Sequence, residues 1–94
     1  MKILLKELDS KGFAMAREND KRAGMMTYSI AGTELIIIDH TEVEPEFKGK
    51  GVGKQLLYKI VEMAREKNIK ILPLCPFAAM MFKKLDDIKD VLKS

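Results

Sequence analysis

Three glycines at alternate positions, Gly49, Gly51 and Gly53, are interleaved with Lys48, Lys50 and Lys54 in the stretch FKGKGVGKQLL at residues 47–57. Glycine is costly in a helix and adds nothing to a core, so a plain helix start has no use for three of them. Backbone that must come close to a phosphate does need them, and the lysines add positive charge beside it. Just upstream stand Asp39, Glu42, Glu44 and Glu46, with His40 as the only basic residue among them. One end of the loop thus suits a cation and the other an anion, the plainer alternative being two solvated charge clusters. Two further groups can do chemistry. His40 is the side-chain type that changes charge near neutrality, and the thiol of Cys75 is a nucleophile once ionised. Each has a structural alternative, as a hydrogen-bonded histidine and as a small buried hydrophobe. With no other His or Cys in the chain, neither has partners for a metal site.

Length and composition bound what can position these groups. Ninety-four residues, 47% apolar and 33% charged, are expected to form one domain, residues 1–94, around a single modest core. No apolar run approaches the roughly 18 residues of a membrane span, and Met1-Lys2-Ile3-Leu4-Leu5-Lys6 is too short and too charged for a signal peptide. A single cysteine cannot make an internal disulfide, which makes a cytoplasmic setting the expectation. A net charge of +3 is too mild to suggest a nucleic-acid partner.

Reading along the chain, Ile3–Leu8, Gly12–Arg17 and Met25–Ile30 have strand character, with a turn at Asn19-Asp20-Lys21. Leu35-Ile36-Ile37-Ile38 is apolar without alternation, as expected of a strand covered on both faces. The period then becomes helical from Gly51 to Lys67, with Val52, Leu56, Leu57, Ile60, Val61 and Ala64 on one face and Asn68 as the stop. Ile69–Leu72 reads as a strand, and Phe77–Leu85 as a helix with Pro76 at its first turn. A last helix is expected over Ile88–Lys93, capped by Asp86 and Asp87. Met25-Met26 and Met80-Met81 read as flexible core filling, and Lys83, Lys84, Lys89 and Lys93 as a solvated helix face. The second half is therefore a βαβ unit with parallel strands, and the glycine loop lies at their carboxyl ends, where open sheets bind ligands. The helix dipole and the free N–H groups of its first turn complete an anion site there.

Two familiar phosphate loops fail against these residues. The Walker pattern needs glycine at 48 and Ser or Thr at 55, where Lys48 and Gln55 stand. The dinucleotide fingerprint needs a third glycine at 54, which is Lys54. Lys48-Gly49-Lys50-Gly51-Val52-Gly53, by contrast, resembles the acetyl-CoA signature [QR]-x-x-G-x-[GA] of the GNAT superfamily, with lysine replacing the first Gln or Arg. IDHTEVEPEFKGKGVGKQLL followed by ILPLCPF resembles, more closely, a group of very small GNAT-like proteins with a His-Thr pair before the loop and a cysteine ending the next strand.

That resemblance implies an α/β (α+β) fold: a mixed sheet of N-terminal antiparallel strands, then a βαβ unit with splayed parallel strands, then short C-terminal helices. It implies acetyl-CoA as cosubstrate. The pantetheine would lie along the free edge between Leu35–Val43 and Ile69–Leu74, with Pro73 and Pro76 suited to opening the ladder there. Thr41 would supply the N–H that polarises the thioester carbonyl, and Val43 would line the pantetheine. Backbone from Gly49 through Gly51, Val52 and Gly53 to Lys54 would hold the pyrophosphate, with Lys48, Lys50 and Lys54 adding charge. Two groups common in these enzymes are replaced: Ile37 stands four residues before Thr41 where a glutamate is usual, and residues 77–85 contain no tyrosine. His40 and Cys75 remain, each ending one splayed strand and expected to face the other across the thioester. His40 is the candidate base, and Cys75, near the start of the helix at Pro76, is the candidate acetyl acceptor and cofactor contact. The expected function is N-acetyl transfer to an unidentified primary amine, small molecule, peptide or protein. The alternatives are a non-catalytic acyl-CoA-binding module and an interaction domain that kept the fold.

Overall fold

The computed structural model describes residues 1–93; Ser94, the last residue of the expected domain, lies outside the described residues. The order is β1 (Lys2–Leu8), β2 (Lys11–Glu18), β3 (Lys21–Ile30), β4 (Leu35–Val43), α1 (Val52–Lys67), β5 (Lys70–Pro73) and α2 (Pro76–Lys84). Short 3-10 segments cover Pro45–Phe47 and Asp86–Val91. The strands form one mixed sheet in chain order, antiparallel from β1 through β4 and parallel between β4 and β5.

Two-residue turns join the first three strands. Asp9 and Asn19 adopt positive φ (57° and 56°) in them, a conformation short polar side chains tolerate. β3 starts at Lys21, before the expected Met25, because its charged end is used: Lys21 reaches Glu46 at 3.3 Å and Arg22 reaches Glu44 at 3.1 Å. The Glu44 N–H also donates to the carbonyl of Ala23 at 2.9 Å. The acidic end of the glycine loop is thus tied to β3 rather than left to receive a cation.

α1 packs across the sheet with the expected stripe. Val52, Leu56, Leu57, Ile60, Val61 and Ala64 are all buried against Ala14, Ala16, Met26, Tyr28, Ile36 and Ile38. Asn68 ends it in the left-handed conformation (φ 57°), its N–H shared between the carbonyls of Ala64 and Arg65. Gly24 lets the helix start sit close to β3: a Cβ there would lie 2.7 Å from the Glu42 carbonyl oxygen and 2.9 Å from a Val52 methyl. Tyr28 is fully buried and donates to Glu7 at 2.7 Å; burial first, and Glu7 second, push its phenol well above the usual range.

The expectation that β4 is covered on both faces is corrected. Ile36 and Ile38 are buried, whereas Leu35 and Ile37 are half-exposed on the opposite face. The molecule is only 20 Å thick, which accommodates one sheet and one helix layer. The four-isoleucine-type run reflects β propensity and shielding by neighbouring strands, not a second helix layer. The methionine pairs divide likewise, Met26 and Met81 in the core and Met80 exposed.

The chain end also departs from expectation. Asp86–Val91 is a 3-10 segment with no side-chain cap from either aspartate, and it straps α1 to β5. Arg65 holds the Asp90 carboxylate through two nitrogens at 3.0 and 2.8 Å, and Tyr58 donates to Asp87 at 2.7 Å. Leu92 then bridges to the outer edge of β5 beside Ile71, and the Lys93 N–H donates to the Ile71 carbonyl at 2.9 Å.

Candidate active site

The sheet splits where β4 outruns β5. Register holds from Leu35 opposite Lys70 to Ile38 opposite Pro73 and then stops. The N–H groups of Leu74 and Cys75 both converge on the carbonyl of Ile38 at 3.1 Å, and Pro76 turns the chain into α2. Among the described residues, β4 beyond Ile38 pairs only with β3. A register shift against Thr27 and Tyr28 leaves Asp39 as an extra residue, a bulge that exchanges the inward and outward sides of the strand. From the bulge onward His40 and Glu42 pair towards β3, so the backbone of Thr41 and Val43 faces the open edge.

The same bulge fixes the side chains. Thr41 and Val43 lie on the helix side, half-buried, while His40 and Glu42 are exposed on the other face. Thr41 Oγ1 lies 3.1 Å from Cys75 Sγ, and Cys75 is buried at 4% exposure. His40 and Cys75 therefore do not face one another as expected. The contact across the split is Thr41 to Cys75, and the imidazole is on the opposite face of the sheet.

The loop after β4 brings the remaining candidates together. Phe47 is buried and anchors it, with the Lys50 ammonium 5.3 Å from its ring centroid. Gly49 (φ +82°) and Gly51 (φ +74°) are left-handed, a conformation costing other residues about 1–2 kcal/mol. Gly51 is the N-cap of α1 and supplies no capping side chain, no acid lies in the first turn, and the first helical bond runs from the Gln55 N–H to the Gly51 carbonyl at 3.1 Å. The N–H groups of Val52, Gly53 and Lys54 are thus free of intrahelical partners. Among the described residues Lys48, Lys50 and Lys54 join no salt bridge, although Lys54 lies 5.9 Å from the Tyr58 ring centroid.

Gly53 has a different reason from the one expected. It is buried, and a Cβ there would lie 2.6 Å from the ring of Phe77. Its missing side chain makes room for Phe77 of α2 against α1. The positions left open are Gly49 and Gly51, where an added Cβ meets nothing within 4 Å. Sequence reasoning missed Gly24 and Phe77, which seat the helix start. A glycine inside an apolar strand and an aromatic after Pro76 were the signals available.

The site is thus a bulged strand split from its parallel neighbour in a mixed α/β sheet, with an uncapped helix start beside the gap. The GCN5-related N-acetyl-transferase family model matches residues 12–91, and the chain belongs to that family. No curated protein matches it by sequence. Among solved structures, a GCN5-like protein from Staphylococcus aureus is 40% identical, with 97% of this chain covering 88% of that one at TM-score 0.72. A ribosomal-protein-alanine N-acetyltransferase from Brucella melitensis shares 19% identity over 81% of this chain and 61% of its own, at TM-score 0.69. A GNAT family acetyltransferase from Elizabethkingia anophelis, solved with acetyl-CoA bound, shares 20% identity over 80% of this chain and 52% of its own, at TM-score 0.65. The last two likenesses are of fold, and this chain spans only about half to three-fifths of those proteins.

Proposed function

We propose that the protein is an N-acetyltransferase that binds acetyl-CoA in the split between β4 and β5 and acetylates a primary amine. The observation that carries this is the alignment of two unsatisfied backbone sets, the open edge at Thr41 and Val43 and the bare first turn of α1 at Val52, Gly53 and Lys54. An extended amide-bearing arm fits the first, and a pyrophosphate fits the second. Lys48, Lys50 and Lys54, which flank that turn in the chain and join no salt bridge among the described residues, supply the charge a phosphorylated ligand needs.

The thioester supplies an activated acetyl group, and everything else falls to this chain. The Thr41 N–H, on the open edge, hydrogen-bonds the thioester oxygen as negative charge develops there. His40, on the open face, takes the proton of the attacking amine directly or through a water. The new N–C bond forms as the C–S bond breaks, and the CoA sulfur leaves as thiolate. Direct transfer is favoured over an acetylated Cys75, because Sγ is buried behind Thr41 on the face away from His40.

A second reading is specifically favoured by two residues. Ile37 at the usual glutamate position and the lack of tyrosine in α2 suit a module that binds acyl-CoA without turning it over. Calorimetric titration of acetyl-CoA, followed by assay of thiol release with a panel of primary amines, separates these. Micromolar binding with thiol release supports the enzyme, binding without release supports the module, and no binding defeats both.

A further inference from the structure

The helices cover one face of the sheet, and the other face is chemically graded. Lys6, Phe13, Thr27 and His40 are successive cross-strand partners and form one row over β1 to β4. At about 4.8 Å per strand the row spans roughly 14 Å. In the neighbouring row Leu8 faces Lys11 and Lys11 faces Ser29. The Lys11 ammonium donates to Ser29 Oγ at 3.1 Å, and Ser29 donates to Asp39 at 2.7 Å. This carries a cation inward over β3, one strand from His40. An open cavity of about 940 Å³ has Lys6, Leu8, Asp9, Lys11, Phe13, Thr27 and Asp39 in its lining, together with Glu7, whose carboxylate is bonded to Tyr28 and Lys67. That volume suits a small molecule rather than a protein surface. Among the described residues Lys6, Lys11 and Asp39 join no salt bridge, and Leu8 is 78% exposed.

The cavity ends on Thr27 and Asp39, the cross-strand partner of His40 and its chain neighbour. It therefore opens beside the group assigned as base, on the face from which an amine must come. Ser29 holds the Lys11 ammonium one hydroxyl away from Asp39, so a cation and an acid stand together at that end, with Phe13, Leu8, Lys6 and Asp9 elsewhere in the lining. Lys11 and Asp39 side by side suit a ligand that carries an ammonium and a carboxylate together better than a polyamine or a phosphorylated ligand. We propose that this cavity seats the acceptor, and that the acceptor is an amino carboxylate with an apolar side chain. Its ammonium lies at Asp39 and His40, its carboxylate at Lys11 or Lys6, and its apolar group on Phe13 and Leu8. The proposal rests on the acetyltransferase reading.

L-Phenylalanine and 2-phenylethylamine, which differ only in the carboxylate, are the probes. Each is titrated into the full chain while amide resonances are followed, and acetyl-CoA is titrated into the same preparation by calorimetry. The expected result is that phenylalanine moves the Phe13, Thr27 and Asp39 amides and binds about tenfold tighter than 2-phenylethylamine, a difference of about 1.4 kcal/mol. Lys11→Glu, at an exposed position, removes that preference, and Lys11→Met reduces it. Equal binding of the two probes, shifts mapping elsewhere, or no shifts from either overturns the proposal. Normal acetyl-CoA binding alongside that failure leaves the acetyltransferase reading standing. Loss of acetyl-CoA binding alone defeats that reading, while the probe titrations still report on the cavity.

Discussion

At the scale of single residues, the bulge at Asp39 decides which groups meet. It sends Thr41 towards Cys75 and His40 to the open face, so the two groups expected to act together belong to different surfaces. Their variants should therefore behave differently. His40→Ala removes the proposed base and should lower kcat/KM by roughly 10²–10⁴-fold, with the rise of rate through neutral pH abolished and acetyl-CoA affinity kept. An unaltered pH–rate profile excludes His40 from proton transfer. Cys75→Ala should preserve turnover while costing about 1–3 kcal/mol in unfolding free energy, since it empties a buried site and leaves Thr41 Oγ1 without its partner. Loss of transfer in that variant, with an acetylated Cys75 detected by mass in the wild type, would restore the covalent route.

At the scale of elements, the α1 start is held by glycines that act for separate reasons. Gly51 needs its left-handed backbone and leaves the helix end bare; Gly53 needs room for Phe77. Gly51→Asp places a negative charge at the bare turn and should weaken acetyl-CoA binding by roughly tenfold or more, about 1.4 kcal/mol, with the fold intact by circular dichroism. Gly53→Val overpacks the α1–α2 contact and should cost about 1–3 kcal/mol in denaturant unfolding. Combining it with Phe77→Ala should give less loss than the sum of the single changes, because the two share one space. Additive losses would place the Gly53 requirement elsewhere. The strap over β5 carries a pH dependence of its own. The hydrogen bonds from Arg65 hold the Asp90 carboxyl below the usual carboxylate range. A depressed folded pKa means stabilisation that is complete above the ordinary value, about 3.9, and lost as pH falls through the depressed one. Protection of the Lys93 amide from exchange should drop in that acidic window, and Arg65→Met should lower it already at neutral pH.

At the scale of the whole molecule, charge is sorted by face and by loop. Glu44 and Glu46, the two acids nearest the glycine loop, are paired with Arg22 and Lys21, which leaves the lysines after it dominant at the helix start. Long-range attraction for a phosphorylated ligand follows, and it should be screened by salt. Between about 0.1 M and 1 M salt the screening length falls from about 10 Å to about 3 Å, and acetyl-CoA affinity should fall with it. Affinity indifferent to salt would remove the lysines from the binding site.

The glycine loop, the amphipathic stripe of α1, its Asn68 stop and the Pro76 helix start were all legible in the sequence. Each depends on residues within one or two turns of one another, where backbone conformation and periodicity act locally. What pairs with what was decided only in three dimensions. A one-residue bulge in β4 reverses every side chain after it, and no local signal at Asp39 announces it. Coverage of β4 on one face, the tying of Glu44 and Glu46 to β3, and the role of Gly53 against Phe77 are likewise contacts between segments distant in sequence. Residue type and spacing thus marked the loop proposed to hold a phosphate-bearing ligand. The placement of His40 and Cys75 on opposite faces of the sheet came from strand register, which belongs to the assembled sheet and not to any one strand.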